Sequence, residues 1–324
     1  MEFYTLTVLL LAATIRLATP LCLAAFGGLF SERAGVVALG LEGMMLGGAF
    51  AAAAASAVTG SAWIGLGAGV AAASFLALIL AFACVTQRGN QVVAAMAVNI
   101  MVAGLAPTLA LAWFDLGGQT PQLANPAQRF TELIWPGAAA ARSVPLPGLL
   151  YAELVSGHSL IVYGAALLVP LVGWILYRTR FGLRLRAVGE NPQAVDTAGI
   201  SVVRLRYSAV LLSGVLCGIA GTYLSISASA GFVRDMTAGK GYLALAALIF
   251  GKWRPLPTLG ACLLFAFTDA LAARLQGVAL PGVGVIPVQF ILALPYILTV
   301  LLLGGFVGRS LPPKAIGQPY EKEK

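Results

Sequence analysis

VVAAMAVNIMVAGLAPTLALA, residues Val92–Ala112, contains no charged side chain. A run of ~20 predominantly apolar residues is what an α-helix needs to cross the hydrocarbon core of a membrane. SLIVYGAALLVPLVGWILY, residues Ser159–Tyr177, is a second run of the same kind. Both runs indicate that the chain lies in a bilayer.

The composition of the whole chain supports this interpretation. Of its 324 residues, 60% are apolar and 10% are charged, against roughly 25% charged in a soluble domain. In a bilayer every backbone polar group needs an internal partner, and the apolar blocks lack the alternation of a membrane β-barrel. The sequence therefore predicts an all-α integral membrane protein with a single membrane domain over residues 1–324.

The apolar runs predict about 8–9 transmembrane helices. Eight runs are long enough to cross and break at charges or at Gly and Pro clusters, while Gly241–Gly251 is too short to cross alone. The eight predicted spans are 5–30, 36–56, 61–85, 92–112, 159–177, 205–229, 256–276 and 286–306.

The orientation follows from the basic residues, since short basic loops remain cytoplasmic. The segment 178–206 contains six arginines, and counting Gly241–Gly251 as a crossing keeps most other Lys and Arg residues on the same side. This places the N-terminus and the 113–158 loop outside, and 178–206 and the 307–324 tail in the cytoplasm. An alternative remains for the first span, where Arg16 and Pro20 are compatible with a turn that returns the N-terminus to the inside.

A faint internal repeat relates two parts of the chain. AGVVALGLEGMMLGG, residues Ala34–Gly48, aligns without gaps on AGKGYLALAALIFGK, residues Ala238–Lys252, with five of fifteen positions identical. Chance similarity in an Ala-, Gly- and Leu-rich protein is one explanation. The other is an inverted repeat, which in transporters places the solute at the repeat interface.

Two polar residues within apolar runs are candidates for the substrate path. A carboxylate such as Glu42 costs roughly 2.5–3.5 kcal/mol at the centre of a membrane helix, and the adjacent Gly43 permits close helix approach. The alternative for Glu42 is an ion pair with Arg33 or another base. Asn99 can donate and accept hydrogen bonds, so it suits either solute recognition or a bond to a neighbouring helix.

The segment 178–206 also predicts a short helix outside the membrane. Asn191 is a favourable N-cap, Pro192 suits the first helical position, and Gly199 can close the helix after about two turns. Such a helix fits either the headgroup surface, with arginines on anionic lipid, or a cytoplasmic partner.

The sequence offers little for catalysis. His158 is the one histidine, so no multi-histidine metal site can form, and the phosphate loop G-x-x-x-x-G-K-[ST] does not occur. The net charge is +8, but the basic residues lie between apolar runs and do not form one continuous surface that could bind nucleic acid. We therefore expect no cofactor or metal in this chain, and any ATP and Mg²⁺ on a partner.

Three segments together resemble the permease subunits of bacterial ABC importers. They are GLFSERAGVVALGLEGMMLGGAF (Gly28–Phe50), LRAVGENPQAVDTAGI (Leu185–Ile200) and GKGYLALAALIFGKWRP (Gly239–Pro255). The resemblance covers the group with branched-chain amino acid, ribose and nucleoside systems, and most of all the nucleoside type with a basic-membrane-lipoprotein-like binding protein. The chain departs from the family pattern at Ala38, where Asn is usual, and at Val195, where a second Ala is usual.

The resemblance implies a half-transporter in the bacterial inner membrane. It implies cytoplasmic ATPase subunits, a second permease that is usually a different chain, and an external solute-binding lipoprotein. The stretch Gly189–Ile200 corresponds to the coupling helix that enters a groove on the ATPase. The positions that carry this correspondence are Gly189, Glu190, Asn191, Pro192, Ala194, Asp196 and Gly199.

The sequence therefore predicts a permease that moves a nucleoside or similar small polar solute by alternating access. A permease for a sugar or a branched-chain amino acid is an alternative within the same class. An ion-coupled carrier or an intramembrane enzyme is an alternative of another class, although Glu42 and Asp269 are few acids for either.

Overall fold

The computed structural model describes residues 2–141, 147–275, 279–280, 284–285, 293, 297 and 311–322. Within these residues, seven helices are long and apolar enough to cross a membrane. Their spans are Tyr4–Arg33, Leu41–Thr59, Ala62–Thr86, Gln91–Phe114, Leu160–Arg178, Val202–Ala228 and Pro255–Leu275. They correspond to seven of the eight predicted spans. The predicted span 286–306 lies outside the described residues apart from isolated positions.

The secondary structure is almost entirely helical. The helices are α1 Glu2–Arg33, α2 Leu41–Thr59, α3 Ala62–Ala81, α4 Gln91–Phe114, α5 Ala138–Ala141, α6 Pro147–Leu150, α7 Leu160–Arg178, α8 Arg180–Glu190, α9 Pro192–Thr197, α10 Val202–Thr222, α11 Lys240–Phe250 and α12 Pro255–Leu275. Turns of π-helix extend α3 at Phe82–Thr86, precede β2 at Tyr151–Val155 and extend α10 at Tyr223–Ala228, and a short 3₁₀ turn covers Pro126–Gln128. The strands form two antiparallel pairs: β1 Glu132–Leu133 with β2 His158–Ser159, and β3 Ala279–Leu280 with β4 Gly284–Val285.

The first helix runs without a break. α1 continues through Pro20 to Arg33, so the alternative of a turn near Arg16 is wrong. Proline removes one intrahelical hydrogen bond, but α1 remains a single element across Pro20.

α10 lies at the centre of the bundle. In the span Val202–Ala228, 78% of the most apolar window is buried, against 28% for α4. Small residues allow this packing, since a Cβ at Gly218 would lie 2.7 Å from the Cα of Val70 on α3. α1, α2 and α3 surround α10, while most of the surface of α4 is not covered by the described helices.

At one end of the bundle the C-terminal residues pack on the helices α8 and α9. The N–H of Ala315 donates to the carbonyl of Gly189 at 2.8 Å, and Arg88 forms an ion pair with Glu321 at 2.8 Å. The segment 178–206 and the described part of the tail therefore share one end, as the charge distribution predicted.

The described parts of the 113–158 segment, residues 113–141 and 147–158, lie at the opposite end. The N–H of Leu123 donates to the carbonyl of Ala230 at 2.9 Å, and that of Phe130 donates to Ile226 at 3.1 Å. These bonds attach the long loop to the segment that follows α10.

The two copies of the weak repeat contain helices that run in opposite directions. α2 ends at the loop side, where Ser56 donates to the carbonyl of Gln128 at 2.7 Å, whereas α11 leads to Trp253, whose carbonyl binds Arg33 at the tail side. Both copies contain a left-handed glycine, Gly35 with φ 85° and Gly239 with φ 78°. The helices begin at different aligned positions, however, so the repeat itself stays a prediction.

Candidate functional site

The N-termini of α2 and α11 meet at Glu42. Its carboxylate accepts the backbone N–H of Gly239 at 2.9 Å and that of Gly241 at 2.6 Å. The first N–H groups of a helix have no intrahelical partner, and the N-terminal end of the helix dipole favours a negative charge. Glu42, which lies in the first turn of α2, therefore caps α11.

Glycine is required where the two helices touch. A Cβ at Gly241 would lie 2.6 Å from the Cα of Glu42, which no real side chain tolerates. Gly239 occupies the left-handed region at φ 78°, a conformation that glycine adopts at little cost. The sequence GKG thus permits the close approach that brings the carboxylate to the helix end.

The Glu42–Arg33 ion pair considered from the sequence is not formed. The Arg33 guanidinium instead donates to the carbonyl of Trp253 at 2.7 and 3.1 Å. The adjacent Glu32, which is 3% exposed, accepts the indole N–H of Trp253 at 2.6 Å. Sequence reasoning missed Glu32, because it lies at a helix end beside a base, where a surface role is usual.

Asn99 holds the N-terminal end of α2. Its Oδ1 accepts the N–H of Gly43 at 2.8 Å, while its Nδ2 donates to the carbonyl of Leu39 at 2.9 Å and to the hydroxyl of Tyr242 at 3.0 Å. Both N–H bonds of the amide are therefore used. Of the two roles that the sequence left open, the structure shows bonding to neighbouring segments.

A cavity of about 260 Å³ lies beside this junction. Glu42, Gly43 and Asn99 line it, so the structure brings the three predicted path residues together. Polar groups that sequence reasoning missed also line it: Asp235, Thr237 and Tyr242. Tyr242 stands within the quoted GKGYLAL segment, but nothing in the linear sequence indicates that its hydroxyl reaches Asn99.

Ala38 is not part of the cavity. It is 2% exposed, and a Cβ added at Gly28 would lie 3.3 Å from its side chain. Its N–H donates to Glu32 at 3.2 Å. Ala38 therefore packs close to Gly28 of α1 and is not among the residues that line the cavity.

The predicted short helix is present as α9. The Asn191 side chain accepts the N–H of Ala194 at 3.1 Å, with Pro192 as the first helical residue. At the other end Gly199 has φ 77°, and the N–H of Ile200 donates to the carbonyl of Val195 at 3.2 Å. This is the Schellman arrangement of a helix C-terminus.

One side of α9 packs against neighbouring helices and the tail, and the other side is exposed. Val195 is 6% exposed and packs with Val188 and Val202 beneath Tyr320 of the tail. The side facing away from the bundle carries the exposed residues of the predicted coupling stretch, among them Glu190, Asn191, Ala194 and Gly199, with Asp196 half-buried beside them. Gly189 is buried against the backbone of Arg33.

Residues 10–307 match the protein family described as "Branched-chain amino acid transport system / permease component". The chain belongs to this permease family. The seven helices of membrane-spanning length among the described residues are consistent with that membership.

Three relatives of the permease cover nearly its full length. It is 38% identical to the "Guanosine ABC transporter permease protein NupQ" of Bacillus subtilis, over 100% of both chains. It is 36% identical to the "Nucleoside ABC transporter permease protein NupC" of Lactococcus lactis, over 94% of both chains. It is also 36% identical to the "Putative glucose ABC transporter permease protein TsgC13" of Haloferax volcanii, over 97% of this chain and 98% of the relative.

The permease is thus the transmembrane subunit of an ABC transporter and a multi-pass plasma membrane protein. Family membership implies an ATPase partner and a solute-binding protein. It decides against an ion-coupled carrier or an intramembrane enzyme. Among the described residues, no group of three or more His, Cys, Asp or Glu side chains is placed to hold a metal ion.

Proposed function

We propose that the permease imports a nucleoside by alternating access, and that the solute passes the cavity at Glu42. Two full-length relatives are named for guanosine and for nucleosides. A sugar is the second candidate, because a relative of similar identity is named for glucose. Both solute classes are neutral and rich in hydrogen-bonding groups.

The observation that carries the proposal is the junction of α2 and α11 beside the open cavity. Glu42 and Tyr242 belong to different helices, yet both line the same space. Relative movement of the two helices would change the hydrogen bonds that this space offers. A solute that replaces one of those bonds would favour one arrangement over the other.

The cavity is completed by a second permease subunit in this proposal. At about 260 Å³ it is smaller than typical ligand sites of ~300–1,000 Å³, and it opens beside Ile100, which is 69% exposed. Lipid against Glu42 and Asp235 would leave carboxylates next to hydrocarbon, which is costly. A second subunit, most simply a different permease chain, covers this face and forms the other wall of the path.

The energy comes from a separate subunit. Gly189–Ile200 docks on the ATPase, which binds ATP and Mg²⁺, while an external lipoprotein delivers the solute. Two features of α9 support this assignment. One of its sides is exposed, and its caps fix the backbone of a helix of only six residues.

The proposal is tested with the assembled complex, its binding protein and ATP in proteoliposomes. Tritiated guanosine should accumulate, and unlabelled nucleosides should compete with it while glucose and leucine do not. Heat-inactivated ATPase subunits serve as the control. Uptake of glucose without uptake of any nucleoside would replace the nucleoside by the sugar.

A further inference from the structure

A second cavity, of about 480 Å³, lies at the end of the bundle opposite α9. Three basic side chains line it, Arg16 of α1, Arg129 of the long loop and Lys240 of α11, together with the carboxylate of Glu132. Arg16 and Glu132 form an ion pair at 3.3 Å. The lining therefore carries two more positive than negative charges when His158 is neutral.

Several polar atoms of this cavity's lining are buried and lack a hydrogen-bond partner. They are Nε of Arg16, Nε of Arg129, Nδ1 of His158 and Oγ of Ser159. A buried donor or acceptor without a partner costs the full desolvation of that group. An oxygen-rich ligand would supply acceptors for the donors of both guanidinium groups.

His158 supplies an acceptor in the same place. It is 2% exposed, and its Nε2 lies 3.1 Å from the carbonyl of Leu154, which assigns the proton to Nε2. Burial lowers the pKa of His158, and the charge of Arg16 lowers it further. Nδ1 of the neutral ring can therefore accept a hydrogen bond from a hydroxyl of the ligand.

The walls of the cavity are fixed by backbone pairing. Glu132 lies opposite Ser159 in the β1–β2 pair. The Tyr223 hydroxyl donates to the carbonyl of Arg16 at 3.0 Å. Hydrogen bonds thus hold the backbone at Arg16 and the strand pair that carries Glu132 and Ser159.

We propose that this cavity binds a phosphate group. Guanidinium groups match phosphate oxygens in geometry and charge, and His158 and Ser159 can bond a hydroxyl that accompanies the phosphate. The phosphate belongs either to an anionic lipid headgroup or to free phosphate. Lys240 stands in the same first turn of α11 whose N–H groups bind Glu42, so the occupied site holds the helix that borders the Glu42 cavity.

The test uses the assembled complex in detergent and measures binding of two probes by calorimetry and by thermal unfolding. One is inorganic phosphate against chloride at equal ionic strength, and the other is dioctanoyl phosphatidylglycerol against dioctanoyl phosphatidylcholine. Binding and stabilisation by at least one phosphate probe are expected. Arg129→Gln should weaken that binding about tenfold, because it removes charge-assisted hydrogen bonds. Arg234→Gln is the matched control, since that side chain is 70% exposed and pairs with its neighbour Asp235.

Ser159→Ala keeps every charge and removes only a hydroxyl, so it should weaken binding less than Arg129→Gln does. It provides a second measurement if Arg129→Gln does not fold. Response to inorganic phosphate identifies a free anion, whereas response to phosphatidylglycerol alone identifies a lipid. Equal binding by Arg129→Gln and the native complex would overturn the proposal. Binding of neither probe by the native complex would also overturn it.

Discussion

The carboxylate of Glu42 accepts two backbone N–H groups of α11, and this pairing governs what its replacement should do. Glu42→Gln keeps the size but turns one accepting oxygen into a donor and removes the charge. Loss of a hydrogen bond to a charged group corresponds to about 1.5–3 kcal/mol, or roughly 10–100-fold in an equilibrium constant. We expect uptake by proteoliposomes to fall at least about tenfold, with little loss of assembled complex on gel filtration.

Asp115→Asn is a matched control for Glu42→Gln. Asp115 is exposed and has φ 55°, a conformation that Asn also tolerates, so uptake should remain at the native level. If Glu42→Gln instead lowers the yield of complex and leaves the transport of the remainder unchanged, Glu42 is structural and does not border the path.

At the scale of single residues, the sequence predicted which groups are unusual but not their partners. Glu42 and Asn99 attract notice because a polar group inside an apolar run is costly. Their partners Gly239, Gly241 and Tyr242 stand more than 140 residues away, and no local rule indicates such contacts. Trp253, the partner of Glu32, is also distant in the sequence, 221 residues further along the chain.

At the scale of elements, α9 depends on the left-handed conformation of Gly199. A side chain there costs roughly 1–2 kcal/mol, and β-branched residues fit least, although a Cβ would meet no atom within 4 Å. Gly199→Val should therefore loosen α9 without a clash. We expect solute-stimulated ATPase activity and uptake to fall several-fold, while the external binding protein binds its solute as before.

Ala198→Val provides the matched control for Gly199→Val. Ala198 is also exposed, but its φ is −77°, so the same side chain causes little backbone strain. Native ATPase activity and uptake in Gly199→Val would show that the ATPase docks elsewhere.

The sequence predicted the long helices, whose length must match the thickness of the hydrocarbon core. The predicted span 92–112 became Gln91–Phe114, because Asn90 caps the helix through the N–H groups of Val92 and Val93. α8 was not predicted. Its arginines indicated a surface segment, whereas Leu185 and Val188 turn inward and are fully buried.

At the scale of the whole molecule, the two ends of the bundle differ in charge and in structure. Four arginines, Arg178, Arg180, Arg184 and Arg186, belong to α7 and α8 beside the tail. The long loop lies at the far end. A helix such as α12, with 21 residues, spans ~30 Å at 1.5 Å per residue, which matches the hydrocarbon core.

This arrangement predicts that cysteines introduced at Gln122 and Gln193 face opposite sides of the membrane. Both positions are exposed, and the native Cys22, Cys84, Cys217 and Cys262 are buried, so background labelling should be low. An impermeant maleimide added to intact cells should label Gln122→Cys, and Gln193→Cys should react only after the membrane is permeabilised. Because basic loops remain in the cytoplasm, the end that contains α8 should be the protected one. Labelling of both positions in intact cells would show that the orientation is wrong.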